Sequence, residues 1–454
     1  MKRFLILIFA AIAIMGTAFA GGDTDEIEGP VTLEFWTTET QSDRLATIDV
    51  LAKTFEAKNP NVTVDVVAVD ENDLPTQFNA AAVAGTLPGL VHGGTINAVA
   101  FGSQGLLNTD AAGRVIKDIG ADRFYDGVLR MHQTPSGSDY YAVPYHGWVQ
   151  GIWYRADWFE EAGLNPPETW DDILTAAKHF NKPEENQYGI LIGTTPEAFT
   201  EQVFTQFAIS NDAWLFDGDG NLTLDSPEMR EALEFYAELD KYTPPGPQTW
   251  RARDYYLQGK MAMFFYSTYI MDDLALAETA AGSLTSENFE ELAGAGFDPN
   301  LVDNTKMVST IHKTRDAGYG TIVSLAFPDT GDEEQTAAAV RFVEYLFTSE
   351  AYITFLHMVP GGKNPVLREI ATDPKFQQDP QNIFERYGSD KMAEIIMGLN
   401  SIEDFSIVDG KRIEAASVAF SKNIIPQMIY RITQEGESID SAIEWAEEEI
   451  RKLM

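Results

Sequence analysis

The chain has 454 residues and a formal net charge of −38 at pH 7, because 70 Asp and Glu outnumber 32 Lys and Arg. Such an acidic composition argues against a nucleic-acid partner and against docking on anionic lipid, since both are bound through Lys and Arg. The absence of cysteine excludes disulfides, thiol nucleophiles and thiolate metal sites, so the fold must depend on a core that a chain of this length buries in two or more domains.

Residues 1–20 have the pattern of a cleaved secretory signal peptide. Two basic residues precede an apolar run from Phe4 to Met15, and Ala18-Phe19-Ala20 matches a cleavage site. The apolar run is shorter than the ~20 residues that a membrane-spanning helix needs. No cysteine follows the site, so we expect no lipid anchor there. We predict an exported protein that starts near Gly21 and works in the periplasm or is secreted.

The segment that follows the signal peptide predicts a β-α-β-α-β unit. Val31 to Trp36 and Val62 to Val66 alternate apolar and polar residues as half-buried strands do, and Leu90-Val91 begins a third strand. Amphipathic helices lie between these strands. This order predicts a parallel sheet with helices on its faces.

Helix starts along the chain are marked by residues whose side chains can cap the first turn. The caps that we predict are Ser42, Asp73, Thr169, Ser226 with Pro227 in the first turn, and Ser438. No internal repeat or long flexible linker interrupts these elements, so any two domains must be joined by short crossings inside folded structure.

Residues Tyr140 to Phe159 are unusually aromatic, with four Tyr, three Trp and one Phe around a Pro and two Gly. Tyr and Trp combine a flat apolar face with a hydrogen-bonding tip, which suits the capture of a sugar. Within this stretch Trp153 and Tyr154 are expected in the core, because aromatic residues on a strand are usually buried. The pattern favours binding, since it contains no recognisable catalytic motif.

One stretch has the spacing of a calcium-binding loop. Positions 1, 3, 5, 9 and 12 of that loop correspond to Asp217, Asp219, Asn221, Asp225 and Glu228. The position that requires Gly is Leu222, however. A turn that leads into a short strand, Asn221 to Leu224, and then into a capped helix explains the same residues, so we expect no metal site.

Searches for other chemistry give no motif. The six His form neither H-x-x-x-H nor H-E-x-x-H, and the sequence contains no phosphate-binding loop. Gly102 to Gly105 lacks the spacing of a nucleophile elbow. We therefore expect no catalytic residue and no cofactor.

Segments spread over nearly all of the mature chain resemble, in order and spacing, the family 1 extracellular solute-binding proteins, the maltose-binding-protein-like receptors of ABC importers. The segments are VTLEFWTTET (31–40), FEAKNPNVTVDVV (55–67), FNAAAVAGTLPGLV (78–91), GSQGLLNTD (102–110), SDYYAVPYHGWVQGIWYRADWFEEAGLNPPETWDDILTAAKHF (138–180), WLFDGDGNLTLDSPEMREALEFYAEL (214–239), YLQGKMAMFFYSTY (256–269) and VRFVEYLFTSEAYITFLHMVPGGKNPV (340–366). The sequence departs from the family pattern at Gly89, where Asp is usual, and at Tyr266 to Tyr269. Both departures are expected near the site.

The resemblance implies an α/β protein with the two-lobe periplasmic-binding-protein fold and a ligand cleft between lobes joined by crossover hinge segments. Lobe 1 would comprise residues 21–143 with 321–366, and lobe 2 residues 147–319 with 367–454. The crossings would fall near 144–147 and 318–320, where Pro and Gly suit a hinge. The implied function is capture of a mono- or oligosaccharide by a monomer that closes around it and delivers it to ABC transporter permease subunits.

Candidate ligand contacts come from two arguments. Carboxyl ends of strands line ligand crevices in open α/β sheets, which selects Thr38, Glu39, Gln41, His92, Thr95 and Asn97. The resemblance adds Tyr145, Trp148, Trp250, Tyr266, Tyr269, Tyr319 and Lys363. A purely structural role stays open for His92, for Tyr266 and Tyr269 beneath the cleft, and for Tyr319 and Lys363.

Three other functions stay open at this point, one of them a chemotaxis or signalling receptor that binds a sugar without feeding transport. A binding protein for a cationic small molecule such as a polyamine would bring acids, rather than aromatic rings, together in the cleft. A secreted glycoside hydrolase would need two carboxyl groups ~5–9.5 Å apart across a sugar. The sequence cannot select such a pair among so many acidic residues.

Overall fold

The computed structural model describes residue 27, residues 29–276, residue 298 and residues 300–454. The predicted signal peptide, residues 1–20, lies outside the described residues. The strands are β1 (Val31–Thr37), β2 (Val62–Ala68), β3 (Leu90–Gly94), β4 (Val143–Arg155), β5 (Tyr188–Leu191), β6 (Met261–Ser267), β7 (Thr305–Val308), β8 (Thr310–His312), β9 (Asp316–Ala326), β10 (Asn364–Pro365), β11 (Ile407–Val408) and β12 (Lys411–Arg412).

Helices surround the strands on both faces of the sheet. In chain order they are α1 (Ser42–Lys58), α2 (Leu74–Ala84), α3 (Thr95–Ser103), α4 (Thr109–Ile119), α5 (Asp126–Arg130), α6 (Ala156–Ala162), α7 (Trp170–Phe180), α8 (Ala198–Ser210), α9 (Pro227–Asp240), α10 (Arg253–Leu257), α11 (Ile270–Ala275), α12 (Leu301–Asn304), α13 (Glu333–Leu346), α14 (Ser349–Leu356), α15 (Pro374–Gln377), α16 (Ile383–Tyr387), α17 (Ser389–Met397), α18 (Glu414–Ser421), α19 (Ile424–Thr433) and α20 (Ile439–Arg451).

The main sheet has the strand order β2-β1-β3-β9-β4-β6-β5. β1 pairs in parallel with β2 and with β3, which confirms the predicted parallel β-α-β-α-β unit. At the other end β5 and β6 are also parallel. Between these two parallel groups the pairs that involve β9 and β4 are antiparallel. The architecture is therefore two α/β lobes that share two long central strands.

β4 and β9 connect the lobes because each strand pairs with both halves of the sheet. β4 pairs with β9 from Val143 to Gln150 and then with β6 from Gln150 to Tyr154. β9 pairs with β4 from Tyr319 to Leu325 and with β3 at its carboxyl end. The β4–β9 register shifts between Pro144 and His146, within the segment predicted to be a crossing. The exact residue limits of the lobes remain a prediction.

Each lobe buries aromatic residues between its sheet and its helices. In lobe 1 the Phe342 ring of α13 lies 5.6 Å from Phe35 of β1 and 5.0 Å from Phe55 of α1. In lobe 2 the Phe207 ring of α8 lies 5.1 Å from Phe265 of β6 and 5.8 Å from Tyr236 of α9. α8 is buried along nearly its whole length, so it carries polar side chains into the interior together with its apolar ones.

The segment that includes β11, β12 and α18 lies across both lobes. α18 packs against α3 of lobe 1, while α19 packs against α8 and α9 of lobe 2. The Arg412 guanidinium donates to the carbonyl oxygens of Gln133 at 3.1 Å and Met131 at 2.5 Å, and the Tyr141 hydroxyl donates to Glu414. This segment therefore covers the boundary between α3 and α8.

Three of the predicted caps are confirmed. The side chains of Thr169, Ser226 and Ser438 accept hydrogen bonds from the backbone N–H groups of Asp172, Met229 and Ser441. Two cap predictions need correction. Ser42 is the first residue of α1 rather than its cap. Asp73 stands at the cap position of α2, but its side chain accepts no capping hydrogen bond because the residue has helical dihedrals.

Two further expectations are corrected. Asn221 to Leu224 is not a strand, since only Leu222 forms an isolated bridge, to Phe216. Gly89 does not lie near the cleft, because it precedes β3 at the end opposite the carboxyl edge. A Cβ at that position would lie 2.6 Å from Leu33 Cδ1 and 2.9 Å from Gln335 Cγ, so packing inside lobe 1 explains this glycine.

The Asp217 carboxylate is occupied by donors of its own turn. It accepts from the backbone N–H groups of Asp219 and Asn221, at 2.9 Å each, and from the Asn221 side-chain amide at 2.8 Å. Within the described ranges, no three His, Asp or Glu side chains converge in a way that suits a metal ion. Those same ranges contain no helix with the length and apolar character that crossing a bilayer requires.

The close packing of β5 on α7 gives a test of the lobe 2 core. A Cβ at Gly189 would lie 2.1 Å from the Ala177 carbonyl oxygen. We expect Gly189→Ala to destabilise the protein by at least the upper end of the ~1–3 kcal/mol that overpacking costs. Gly113→Ala is the matched control, because a Cβ at this position of α4 meets no atom within 4 Å. It should be neutral or stabilising by ~0.5–1 kcal/mol in urea unfolding. Equal stabilities of the two variants would contradict this packing.

The turn at Asp217 gives a second test. Because its carboxylate is already hydrogen-bonded, EDTA should leave the melting temperature of the purified protein unchanged and added calcium should not raise it. Differential scanning calorimetry in the three conditions measures this. A drop with EDTA that calcium reverses would show that the loop binds the ion.

Candidate functional site

The carboxyl ends of the parallel strands of both lobes face one cleft. In lobe 1, Glu39 follows β1, Glu71 follows β2 and Thr95 follows β3. In lobe 2, Thr195 follows β5 and Tyr269 follows β6. This is the edge at which open α/β sheets bind ligands. Polar groups at the strand ends of both lobes therefore face one space.

A buried ion pair forms the floor of this cleft. The Lys363 ammonium, from the loop after α14, contacts the Glu39 carboxylate, which also accepts from Arg44 at 3.0 Å. Burial alone would raise the pKa of Glu39, but the charges of Lys363 and Arg44 outweigh it and lower that pKa to about 2. Glu39 is consequently ionised and paired at every physiological pH, so it orients its neighbours and has little capacity left for a ligand.

Two neutral histidines complete the floor. His92 Nε2 lies 3.2 Å from His146 Nε2, and His92 Nδ1 lies 3.1 Å from the Thr37 hydroxyl. Burial lowers the pKa of His92 to about 3 and that of His146 well below its usual range. Both ring nitrogens of His92 thus have protein partners, which favours its structural role beneath the cleft over direct ligand contact.

Tyr269 forms a contact between lobe 2 and this floor. Its ring lies under the Arg44 guanidinium of lobe 1, with 5.9 Å between the guanidinium carbon and the ring centroid. A contact of this kind is attractive because the ring face is electron-rich. Arg44 is therefore shared between the Glu39 carboxylate of its own lobe and an aromatic ring of the other lobe.

An aromatic platform with a central guanidinium lies beside Tyr269. Arg253 donates to the Tyr266 hydroxyl at 2.7 Å, and its guanidinium lies 5.1 Å from the ring centroids of both Tyr266 and Trp250. Burial raises the pKa of Tyr266 to about 12, against the opposing effect of Arg253. The Tyr266 hydroxyl therefore stays neutral, and the two rings suit stacking and hydrogen bonding.

A small pocket of about 20 Å³ lies where α3, α8, β9 and the covering segment meet. Its polar lining consists of Glu201, Thr205, Tyr319, Asp404, Ser406 and Ser417. Ile96, Phe405 and Phe420 supply its larger apolar groups. The Trp148 ring lies 6.1 Å from the Tyr319 ring, beside this pocket. Aromatic faces and hydroxyl or carboxyl groups are therefore combined at one place.

Electrostatic influence connects the floor with this pocket. Burial is the main cause of the raised pKa values of Tyr269 and Tyr319, followed by Glu39 for Tyr269 and Asp404 for Tyr319, and the Glu71 carboxylate makes a smaller contribution to both. The same carboxylate opposes the lowering of the Lys363 pKa by burial. One carboxylate that acts on all three side chains indicates that they share one cleft.

The structure gathers most of the predicted residues at this cleft, but in different roles. Trp148 and Tyr319 lie at the pocket, Trp250 and Tyr266 form the platform, and Tyr269 contacts Arg44. Glu39, His92 and Lys363 form the buried floor. Thr95 is also buried, and its hydroxyl donates a hydrogen bond to the Ile322 carbonyl oxygen at 2.7 Å. Thr38 and Asn97 are half-buried near the ends of β1 and β3, and Gln41 is exposed at the start of α1.

Tyr145 lies in the core beneath the floor of the cleft and does not reach the cleft itself. Its side chain is 1% exposed and its ring lies 4.5 Å from Phe355 and 5.3 Å from Tyr352. The aromatic stretch contains a strand buried on both faces, and the β4–β9 register shift next to Tyr145 sets its direction into the core. Trp153 and Tyr154 are buried, as predicted.

Sequence reasoning missed Glu71, Glu201, Asp404 and Ser417. Glu71 could have been found, since it follows β2 as Glu39 follows β1. Glu201 lies inside an apolar helix, and the other two belong to the covering segment, for which neither spacing nor motif gives a signal. Thr195 was also missed, because no strand is predicted from the sequence at β5, which this residue follows. Its hydroxyl has no hydrogen-bond partner among the described residues.

Comparisons with known proteins agree with this geometry. The family model described as "Bacterial extracellular solute-binding protein" matches residues 39–353. YcjN of Escherichia coli, provisionally named an ABC transporter periplasmic-binding protein, is 29% identical over 443 residues, which is 97% of each chain. The mannitol-binding protein of Pseudomonas aeruginosa is 29% identical over 216 residues, which is 43% of this chain and 45% of that protein.

Solved structures show the same two-lobed fold. A solute-binding protein of Agrobacterium radiobacter in complex with ribitol matches with a TM-score of 0.72 and 22% identity, covering 94% of this chain and 99% of that one. Maltose-bound MalE3 of T. maritima matches with a TM-score of 0.72 and 16% identity, covering 93% and 100%. The family consists of exported receptors that work with ABC transporter permeases and is not an enzyme family. Because its model matches well over half of the chain, this protein belongs to the bacterial extracellular solute-binding protein family.

Proposed function

We propose that this protein captures a small carbohydrate or polyol between its lobes and delivers it to the permease subunits of an ABC transporter. The observation that carries the proposal is the cleft at the strand ends of both lobes, where the platform of Trp250 and Tyr266 and the Trp148–Tyr319 ring pair lie with hydroxyl and carboxyl groups. Sugars present apolar C–H faces and many hydroxyl groups, which such a lining complements. Relatives named for mannitol and arabinooligosaccharide binding support the same ligand class.

The proposed mechanism is closure of two lobes about the β4–β9 crossings. We assign residues 21–143 with 321–366 to lobe 1 and residues 147–319 with 367–454 to lobe 2. A ligand favours the closed form only through contacts that differ between the open and closed states. Contacts with the platform of lobe 2 and with strand ends of lobe 1 meet this requirement. Micromolar affinity corresponds to ~8 kcal/mol, which a few stacked rings and several hydrogen bonds supply.

The direct contacts that we propose are the half-buried or exposed residues Thr38, Gln41, Asn97, Trp148, Trp250, Tyr266 and Tyr269. We add Tyr319, Glu201, Asp404 and Ser417, which line the pocket. Glu39, His92, Thr95 and Lys363 hold the floor beneath the ligand. We omit Tyr145 because its ring is enclosed by core residues.

We further propose that signal peptidase removes residues 1–20 and that the protein acts as a monomer in the periplasm or outside the cell. The acidic composition supports the absence of a nucleic-acid partner. We expect no cofactor and no catalysis, since the cleft offers binding groups without a nucleophile–base arrangement among the described residues.

The polyamine alternative is weakened by the pairing of acids at the cleft. Glu39 is neutralised by Lys363 and Arg44, and Asp273 lies 3.3 Å from the Arg253 guanidinium. Glu201 and Asp404 are the acids that a polyamine receptor would use, so a polyamine belongs in the ligand panel. The hydrolase alternative predicts turnover of a chromogenic glycoside, which we expect to be absent.

A melting scan tests the proposed function directly. The mature protein is unfolded and refolded to remove bound ligand, and then scanned with D-mannitol, ribitol, D-glucose, maltose, spermidine and an amino-acid mixture. Binding to the folded state raises the melting temperature by mass action, with ~2.7 kcal/mol of stabilisation at a ligand concentration of ~100 Kd. We expect a shift with at least one sugar or polyol. A shift with spermidine alone, or with none of these compounds, would contradict the proposal.

Trp148 gives a residue-level test of the same cleft. We expect Trp148→Ala to weaken binding of the sugar found in the scan by at least about tenfold, ~1.4 kcal/mol, because a stacked ring is lost. Trp445→Ala is the control, since Trp445 is equally half-buried but packs under Arg431 on the C-terminal helices. Isothermal titration calorimetry compares the two variants. Equal affinities would remove Trp148 from the site.

A further inference from the structure

The covering segment, which runs from Gly398 to Ser421, crosses from one lobe to the other beside the cleft. Its helix α18 packs against α3, which begins directly after β3 of lobe 1. The segment also meets α8 of lobe 2, since Ser406 and Thr205 line the same small pocket. α3 and α8 follow β3 and β5, and both strands end at the cleft. A segment that joins these two helices therefore spans the cleft between them.

The junction of the segment with the two helices is closely packed. The pocket of about 20 Å³ that remains there is close to the ~10–15 Å³ that one water molecule requires. Ile96 of α3 and Phe405 and Phe420 of the segment form its apolar wall. A sugar ring is many times larger than a water molecule. In the structure described, a sugar unit therefore cannot pass between the segment and these helices.

On lobe 1 the segment is held by buried hydrogen bonds and by backbone contact. Arg412 is 8% exposed, and its hydrogen bonds to carbonyl oxygens of lobe 1 are charge-assisted and therefore strong. The Gly127 N–H group of α5 donates to the Asn400 side-chain oxygen at 3.3 Å. A Cβ at Gly127 would lie 2.5 Å from the Asn400 carbonyl oxygen, so the two backbones touch. The segment is thus a fixed part of the wall of lobe 1.

On lobe 2 the segment is attached close to the hinge. The Glu403 carboxylate accepts from Arg315 at 2.8 and 3.0 Å, and the Glu403 N–H group donates to the Gly318 carbonyl oxygen at 3.1 Å. Ile402 forms a bridge with Gly318 as well. Gly318 begins the crossing that we propose as part of the hinge. Because displacement is smallest next to a hinge, the segment can stay attached to both lobes while they open and close.

We propose, on the basis of the function proposed above, that the covering segment closes one end of the cleft and restricts the ligand to a polyol, a monosaccharide or the end of a linear chain. One terminal hydroxyl group of such a ligand fits the pocket, whereas a further sugar unit does not. Cyclic oligosaccharides and the interior of a chain need a cleft that is open at both ends, so this receptor rejects them.

The test uses a probe whose two ends are both blocked. The parent probe is whichever of D-mannitol, ribitol, D-glucose and maltose gives the largest melting shift. For a polyol, the blocked probe carries a glucosyl unit on each terminal hydroxyl group. For glucose or maltose it is cyclomaltohexaose, in which every glucose unit is linked at both C1 and C4. Wild-type protein should bind the blocked probe at least about a hundredfold more weakly than the parent by calorimetry, because one added unit clashes with the segment.

Variants of the wall test whether the covering segment causes the exclusion. Phe420→Ala removes a half-buried ring from the segment, and Ile96→Ala shortens the side chain that α3 contributes. In either variant that keeps the melting shift with the parent probe, the affinity difference between the two probes should narrow by about tenfold or more. Phe235→Ala is the matched control, because Phe235 is also half-buried but stacks on Trp170 at 4.2 Å within lobe 2. It should leave the difference unchanged.

The outcomes separate this inference from the proposed function. Equal binding of the parent and blocked probes by wild-type protein would overturn the closed end while leaving sugar binding intact. An unchanged difference in both wall variants would overturn the role of the covering segment. Absence of binding by every parent probe would instead contradict the proposed function and this inference with it. We expect a difference that Phe420→Ala and Ile96→Ala narrow and that Phe235→Ala retains.

Discussion

The antiparallel pairing of β4 with β9 is the constraint on which the rest of the structure depends. Those two strands run from one half of the sheet into the other, so each lobe completes its sheet with the same pair. A Cβ at Gly320 would lie 2.5 Å from the Trp148 carbonyl oxygen and 2.7 Å from Ile402 Cγ2, so the strands and the covering segment approach too closely for a side chain there. This close approach also sets the Trp148 ring beside Tyr319. The hinge and the ligand site that we propose consequently share these residues.

Two buried carboxyl groups at the cleft are stabilised in different ways. Glu39 is paired with Lys363 and Arg44, and removal of one partner from such a group leaves an uncompensated buried charge. Glu201 is buried without a cation among the described residues, and its raised pKa favours the protonated form, which avoids that cost. The first arrangement is complete and rigid, which suits a floor. The second leaves Glu201 Oε2 without a hydrogen-bond partner among the described residues.

Local features of the sequence were sufficient for the elements but not for the cleft lining. The alternation in β2 and the caps at Thr169 and Ser226 depend on a few neighbouring residues, so the pattern alone predicts them. The strand-end rule also selected Glu39, although its partner Lys363 is 324 residues away in the chain. The sequence could not predict which way the Tyr145 side chain points, because β4 is buried on both faces and shows no alternation of apolar and polar residues. The position of Glu201 at the pocket could not be predicted either, because α8 is buried on all sides and has no polar face that marks one side.

The surface charge and the character of the cleft are separate properties of this protein. Acidic residues such as Glu184, Asp332 and Glu448 are exposed on helix ends and loops away from the site. Their summed field attracts cations and repels anions near the surface, and salt screens it. An uncharged sugar experiences neither effect, so its capture depends on the hydrogen bonds and ring contacts inside the cleft alone. The surface can therefore become strongly acidic, for solubility or for a salty habitat, without changing the affinity for such a ligand. A receptor for a polyamine would lack this independence, because every added surface acid would alter both the approach and the retention of its ligand.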